Sequence, residues 1–358
     1  MSHFTVTVRV PARVDMDDVN GYVEEMLTPY YEQGEDDDDF MEFQDCTDEV
    51  NKEWDTLTVT RIELDGKLYG SRDRELVEKT GLERFGMMYP DPELDAAIAK
   101  LGGVKKEISV QEVYDSFGAF VEDYHGYRLN DQGQYGYYTN PNAKWDWWQI
   151  GGRWTGHWPS KDGAETGMGE RSWANEGEEI PENRVDMIRI KDIDLESADK
   201  TTHKTVEEFL TEYQTYYETG DEEKDGHPFS GPRHDGLNVG LVDCLDDDEI
   251  TDEMRATCRL RKWPHQLKDG MDRYDVIRAL PEGEELEEFK QFLHDSFNRL
   301  RTYAYLDEKA GWVEPGQMGW WASNNSDTES RKKYSSGFMP WLRNGNQDDW
   351  VVSVDCHI

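Results

Sequence analysis

Two stretches decide how this chain folds: residues 3–10, HFTVTVRV, and residues 350–358, WVVSVDCHI. In the first, apolar and polar residues alternate among β-branched side chains, the period-2 signature of a half-buried strand, and Pro11 ends it. The second reads as an apolar strand, and an end that stops inside a β pattern is expected to be tied into a sheet. Alternate strand residues share a face, so Asp355 and His357 should point one way and Cys356 the other. His3 opens the first strand and would stand beside that pair if the two strands are neighbours.

Helical and β patterns fill the space between these strands. Residues 15–27 read as an amphipathic helix with Val19, Tyr22, Val23 and Met26 at helical spacing. The acidic tract 35–39 follows as an exposed loop that lacks the glycine and glutamate pattern of a calcium loop. Residues 56–64 alternate as a strand, and Asp65-Gly66 is a hairpin signal leading into Lys67, Leu68 and Tyr69. Helices are predicted over 90–101, 110–124, 205–219 and 284–305, and strands over 184–195 and 274–280. Residues 220–236, dense in Gly, Pro, Asp and Glu, are the expected insertion or linker.

Strands at both ends with helices between them predict an α+β fold, with a mixed or antiparallel sheet, packed helices and long aromatic and glycine-rich insertions. The expected regions are 1–200, an α+β part holding WDWWQIGGRW; 201–273, helical with a flexible acidic loop; and 274–358, α+β and returning to the core sheet.

The 358 residues carry 78 acidic and 39 basic side chains, a formal charge of −39. Such a surface repels phosphate backbones and anionic membranes, so direct nucleic-acid or membrane binding is not expected. A protein partner with a basic surface, a DNA-mimicking outline or simple solubility would each account for the charge. The 13 Trp and 18 Tyr predict a core rich in rings, and some of those rings would be buried between copies in a homo-oligomer. Cys46, Cys244, Cys258 and Cys356 are scattered without a CxxC pair. That pattern predicts free thiols and a cytoplasmic location. No dinucleotide or P-loop motif occurs, and no motif indicates a cofactor.

Three constellations could carry chemistry. The run 140–158, NPNAKWDWWQIGGRWTGHW, sets Trp145, Trp147, Trp148, Trp154 and Trp158 around Asp146, Gly151, Gly152, Arg153 and His157. Paired glycines permit close backbone approach, and Arg153 could hold an anion or stack on an indole. The alternative is that the rings form core and Arg153 pairs with Asp146 or another acid. Residues 312–321, WVEPGQMGWW, place a Pro315-Gly316 turn between aromatic segments, with Trp320 and Trp321 as further candidate ring contacts. At the terminal Asp355-Cys356-His357, Asp355 and His357 suit an acid/base pair. With His3 they would suit a divalent metal. Cys356 would be a nucleophile only with a depressed thiol pKa.

On these residues the chain resembles a widespread group of bacteriophage and bacterial proteins without an established activity. They share an MSHFTV-like start, an NPNxKWDWYxIGGRW-like segment, an MGWW-like segment and a terminal VDCHI. The matching residues here are 2–6, 140–154, 318–321 and 354–358. The resemblance implies a phage or prophage context, hence the cytoplasm of a host cell, and implies that motifs from the beginning, middle and end of the chain meet in space. The expectation is a phage accessory protein that binds and inhibits a host protein, such as a defence protein. The alternatives are an enzyme or nucleotide-like ligand binder built on the Trp/Arg pocket and the Asp/His pair, and a DNA mimic.

Overall fold

In the computed structural model, the described residues are 3–36, 38–70, 73–81, 92–219, 241–262, 272–317 and 325–358. The expected linker at 220–236, together with Trp320 and Trp321, lies outside them. The α+β class holds, and backbone packing divides the chain into one unit of residues 1–32 with 142–358 and a second unit of residues 33–141 inserted into it. The positions near 200 and 273 expected as region boundaries are not boundaries of this division.

The first unit is organised by its two decisive strands. The first strand (His3–Val10) and the terminal strand (Trp350–His357) pair antiparallel along their whole length, from His3 opposite His357 to Val10 opposite Trp350. The first strand also pairs in parallel with Ala304–Asp307, which turns back to Gly311–Val313. Two short strands share the other edge of the terminal strand: Met187–Arg189 against residues 350–352 and Trp147–Gly152 against residues 354–357.

Alternation then sorts the side chains onto two faces. Phe4, Val6, Val8, Val10, Trp350, Val352, Val354 and Cys356 form one core with Val19, Val23 and Leu27 of the Val19–Leu27 helix. Val351 faces a second core with Trp158, Ile188, Leu300, Tyr334, Phe338 and Leu342. The last three belong to the Thr328–Asn344 helix, which has Pro340 inside it and Asp327 capping it by accepting from the Ser330 amide at 2.7 Å. Polar residues on this second face are matched rather than exposed: Thr7 Oγ1 lies 2.9 Å from Thr302 Oγ1, and Thr302 Oγ1 donates to the Ala304 carbonyl.

Several elements differ from the sequence expectation for identifiable reasons. The predicted helix at 110–124 is broken into Val110–Val113, Phe117–Phe120 and a π-type turn, Val121–His125. Tyr114 is extended, and the Ser116 side chain starts a new helix by accepting from the Ala119 amide. The strand expected over 184–195 stops at Arg189, and the helix expected over 284–305 stops at Ser296. In the latter case Asn298 accepts from the Leu300 amide, which turns the chain so that Leu300 enters the second core. The helix expected at 205 starts earlier, as Leu195–Thr219, where the Asp194 carboxylate accepts from the Ser197 amide. The Asp65-Gly66 turn has positive φ at both residues, 54° and 74°, as the tight hairpin type requires.

The second unit holds two three-stranded sheets. Lys67–Tyr69, Thr58–Leu64 and Val104–Ser109 form one, packed with the Arg74–Thr80 and Pro92–Lys100 helices through Ile62, Leu64, Leu76, Leu94 and Ile98. Glu42–Asp45, Tyr135–Thr139 and Arg128–Leu129 form the other. Among the described residues, no helix is long and apolar enough to cross a membrane.

His157 gives the first unit an acid-sensitive point. Its residue is of intermediate exposure, yet its imidazole is enclosed beside Trp158 with Nε2 3.1 Å from the Leu300 carbonyl. Burial, with Arg184 adding to it, pulls its pKa down to about 4, outweighing the opposite pull of the Leu300 hydrogen bond. The folded protein therefore keeps this ring neutral while the unfolded chain protonates it near pH 6.5, so stability is complete above that pH and falls as pH drops toward 4. Allowing for partial exposure, the loss is on the order of 2 kcal/mol. Urea unfolding of wild type and His157→Gln at pH 7.0 and 4.5 should show the variant losing less stability on acidification. An equal loss in both would remove His157 as the cause.

Candidate functional site

The two strands that organise the first unit also bring together residues more than 200 positions apart. His3 Nδ1 lies 2.8 Å from Asp355 Oδ1, and Asp355 Oδ2 accepts from the Arg153 amide at 2.9 Å. His357 Nδ1 lies 2.5 Å from Asp146 Oδ1, and the Asp146 amide donates to the His357 carbonyl. The two imidazoles stand edge to face with centroids 4.9 Å apart, and Trp147 meets His3 edge-on at 6.0 Å. In both pairs a carboxylate holds Nδ1, which orients the ring and directs Nε2 away from the pair.

Asp355 is fully buried, and the Gly151-Gly152 pair explains how. Gly152 has φ of +58°, and a Cβ there would stand 2.3 Å from Asp355 Cβ and Oδ2. Gly151, at +78°, makes the same close approach to Asp186, whose Oδ2 would lie 2.6 Å from a Cβ. Asp186 sits where the two short strands flanking the terminal strand meet. Its carbonyl accepts from the Ser353 amide, while its carboxylate accepts from the amides of Gly156 and Gly169 at 2.6 and 2.9 Å. Burial nevertheless pushes its pKa up, against the pull of those hydrogen bonds. The glycines thus admit two buried carboxylates to the backbone, and Asp186 is a member of this network that its sequence context did not reveal.

The remaining predicted residues divide plainly. Trp145 is core: it stacks on Tyr31 at 4.6 Å, and its Nε1 donates to the Leu27 carbonyl. Trp158 is fully buried in the second core, whereas Trp154 is half-buried. Cys356 points into the first core, where burial raises its thiol pKa well above the usual value, so the sulfur is shielded and protonated. Arg153 pairs with neither Asp146 nor any other carboxylate among the described residues. Its guanidinium stands 5.8 Å from the ring of Trp173, which is 79% exposed. Trp147 is exposed as well. Among the described residues, the three His/Asp donors that come within 4.8 Å of one another are Asp199, His203 and His294, a group that contains none of His3, Asp355 and His357.

A cavity of about 720 Å³ joins the first tryptophan segment to the second. Asn142 and Lys144 line it from one side and Trp312, Glu314 and Gln317 from the other, with Tyr30 between. Lys144 Nζ and Glu314 Oε1 form a 2.7 Å ion pair with little solvent access, and the buried Trp312 Nε1 has no hydrogen-bond partner among the described residues. Arg153, Asp355 and His357 do not line this cavity.

The inserted unit carries a third surface. On its second sheet Tyr137, Tyr138 and Leu129 are exposed. His125, Tyr127 and Tyr137 stack in a column, with successive centroids 5.0 and 5.3 Å apart. Glu42, Asp45 and Glu49 are exposed on the neighbouring strand and helix, and burial together with Cys46, Glu49 and Tyr137 pushes the Tyr127 pKa up to about 12. The alternation YGYYT was the available sequence signal for this face.

Comparison of the chain with protein-family models, with curated proteins and with solved structures finds no match.

The close approach of Gly152 to Asp355 can be tested against a glycine that has the same backbone hand but open space. Gly163 has φ of +78° and nothing within 4 Å of a Cβ. Gly163→Ala should cost about 1 kcal/mol for the left-handed backbone alone. Gly152→Ala should cost at least about 3 kcal/mol because the methyl group must also displace a buried carboxylate. Equal losses in urea unfolding would contradict the clamp.

Proposed function

We propose that this protein acts by binding, and that its partner is a protein with a basic surface. The observation that carries this reading is the aromatic column of the inserted unit, in which half-buried His125 and Tyr127 support the exposed Tyr137, beside Glu42, Asp45 and Glu49. Tyrosines supply large rigid contact area, and their faces attract Arg and Lys, which the adjacent carboxylates then pair. The formal charge of −39 adds long-range steering toward such a partner. The resemblance to phage proteins supports a host protein, a defence protein among them, as the target and inhibition as the outcome. Exposed rings also support self-association as a homo-oligomer.

The test starts with basic host proteins retained on the immobilised chain, each then purified and titrated. A true partner binds saturably, weakens at least tenfold as salt rises from about 0.05 to 0.5 M, and loses at least tenfold with Tyr137→Ala/Tyr138→Ala. Met168→Ala, an exposed position on the other unit, leaves affinity unchanged. Absence of a saturable partner, or full affinity in the double variant, defeats the reading. Displacement of that partner by duplex DNA would redirect it toward DNA mimicry.

A second reading has its own observation. Arg153 stands over the exposed Trp173 without a carboxylate partner among the described residues, and its amide holds the Asp355 that orients His3. A cation, an open indole and two oriented imidazoles suit a small anionic ligand with a planar ring, with the Nε2 atoms free to move a proton. Equilibrium dialysis with a panel of nucleoside monophosphates should then show binding that Arg153→Ala weakens at least tenfold. No binding, or equal binding by the variant, removes this reading.

A further inference from the structure

The Leu195–Thr219 and Glu284–Ser296 helices pack together through Val206, Phe209, Tyr213, Leu293 and Phe297. Beside that contact lie Asp199, His203 and His294. Asp199 and His203 are four residues apart on one helix and therefore share a face. His294 comes from the last turn of the other helix, where the free carbonyl ends favour positive charge. One donor atom from each of the three lies within 4.8 Å of the other two.

The geometry within the trio is not that of a simple ion pair. His294 Nε2 is 3.0 Å from Asp199 Oδ1, yet that nitrogen is buried and makes no hydrogen bond. Nitrogen and oxygen are thus close without the alignment that N–H···O bonding requires. Two ligands that each stand about 2.0–2.1 Å from one tetrahedral ion are separated by about 3.3 Å. The observed spacing approaches such a polyhedron edge. The rings of His203 and His294 have centroids 4.5 Å apart and an interplanar angle of 82°, so they converge from different directions instead of stacking. His203 is exposed and the Asp199 side chain is 47% exposed, which leaves one side of the trio open to water.

We propose that Asp199, His203 and His294 bind a divalent transition-metal ion of the zinc class. Two imidazoles and one carboxylate form a borderline N₂O donor set that suits zinc, cobalt or nickel, whereas calcium and magnesium demand oxygen ligands. Water completes the coordination. The ion fastens the two helices to each other, so its binding free energy is shared with the packing of the first unit. This site is separate from the His3, Asp355 and His357 cluster and does not depend on the binding reading above.

The test uses tag-free, metal-stripped, full-length protein titrated with Zn²⁺ by calorimetry and with Co²⁺ by visible absorption. Wild type should take up one equivalent that gives the ligand-field spectrum of low-coordinate cobalt, and saturating Zn²⁺ should raise its Tm. His203→Ala removes an exposed side chain and should keep the fold, as checked by circular dichroism, while weakening that equivalent at least tenfold and abolishing the rise in Tm. Asp199→Asn should weaken it as well. Wild-type affinity below about 10⁴ M⁻¹, or His203→Ala binding and stabilised like wild type, would overturn the proposal.

Discussion

The antiparallel pairing of the first strand with the terminal strand is the constraint on which the first unit depends. It closes a loop of more than 300 residues and gives the terminal strand a full-length partner on one side. The opposite edge is shared by two short strands, and one face of the pair supplies Phe4, Val6, Val8, Val10, Trp350, Val352, Val354 and Cys356 to the first core. Closing so long a loop costs chain entropy that grows slowly with length, and an almost continuous row of buried Val residues offsets it. The other face could not be purely apolar, because Thr5, Ser353 and Asp355 lie on it buried. That face is held by hydrogen bonds, hydroxyl to hydroxyl between Thr7 and Thr302 and carboxylate to backbone amide between Asp355 and Arg153.

The same pairing creates the candidate site. Since His3 faces His357 in the register, two imidazoles are placed side by side at one end of the strands, and the carboxylates of Asp355 and Asp146 fix them from different segments. The parity that sets His357 on the face of Asp355 sends Cys356 into the first core. Histidine orientation and thiol burial are therefore two results of one strand register. The glycine pair contributes by what it lacks: without Cβ atoms, residues 151 and 152 let Asp186 and Asp355 come within reach of backbone amides.

Much of this could be read in the sequence where a local pattern and the tertiary structure agree. The alternation at 3–10 and 350–357, the hairpin at Asp65-Gly66 and the facing of Asp355 with His357 all rest on a period of two or on one turn type. Other elements were decided by side chains acting on the backbone. Ser116 restarted a helix, Asp194 began another early, and Asn298 ended a third. Such caps are common residues whose effect depends on where the chain must go next. The Thr328–Asn344 helix has no clear helical pattern in the sequence because Pro340 interrupts it, although the helix supplies three buried residues to the second core. Asp186, and the meeting of His294 with Asp199 and His203, depend on contacts across distant segments, so no spacing in the sequence could announce them. The composition foretold a ring-rich core, but it could not say that Trp173 and Trp147 would stand in solvent while Trp145 and Trp158 would not.

Native-state hydrogen exchange on the amides of Val6, Val8, Val352 and Val354 reads out how firmly this strand pairing holds the first unit. If the two strands hold the first unit together, these amides exchange only through global unfolding, with opening free energies equal to the unfolding free energy from denaturant titration. Exchange several kcal/mol faster than that, while Ile188 and Leu342 remain protected, would mean that the pairing frays independently and does not organise the fold.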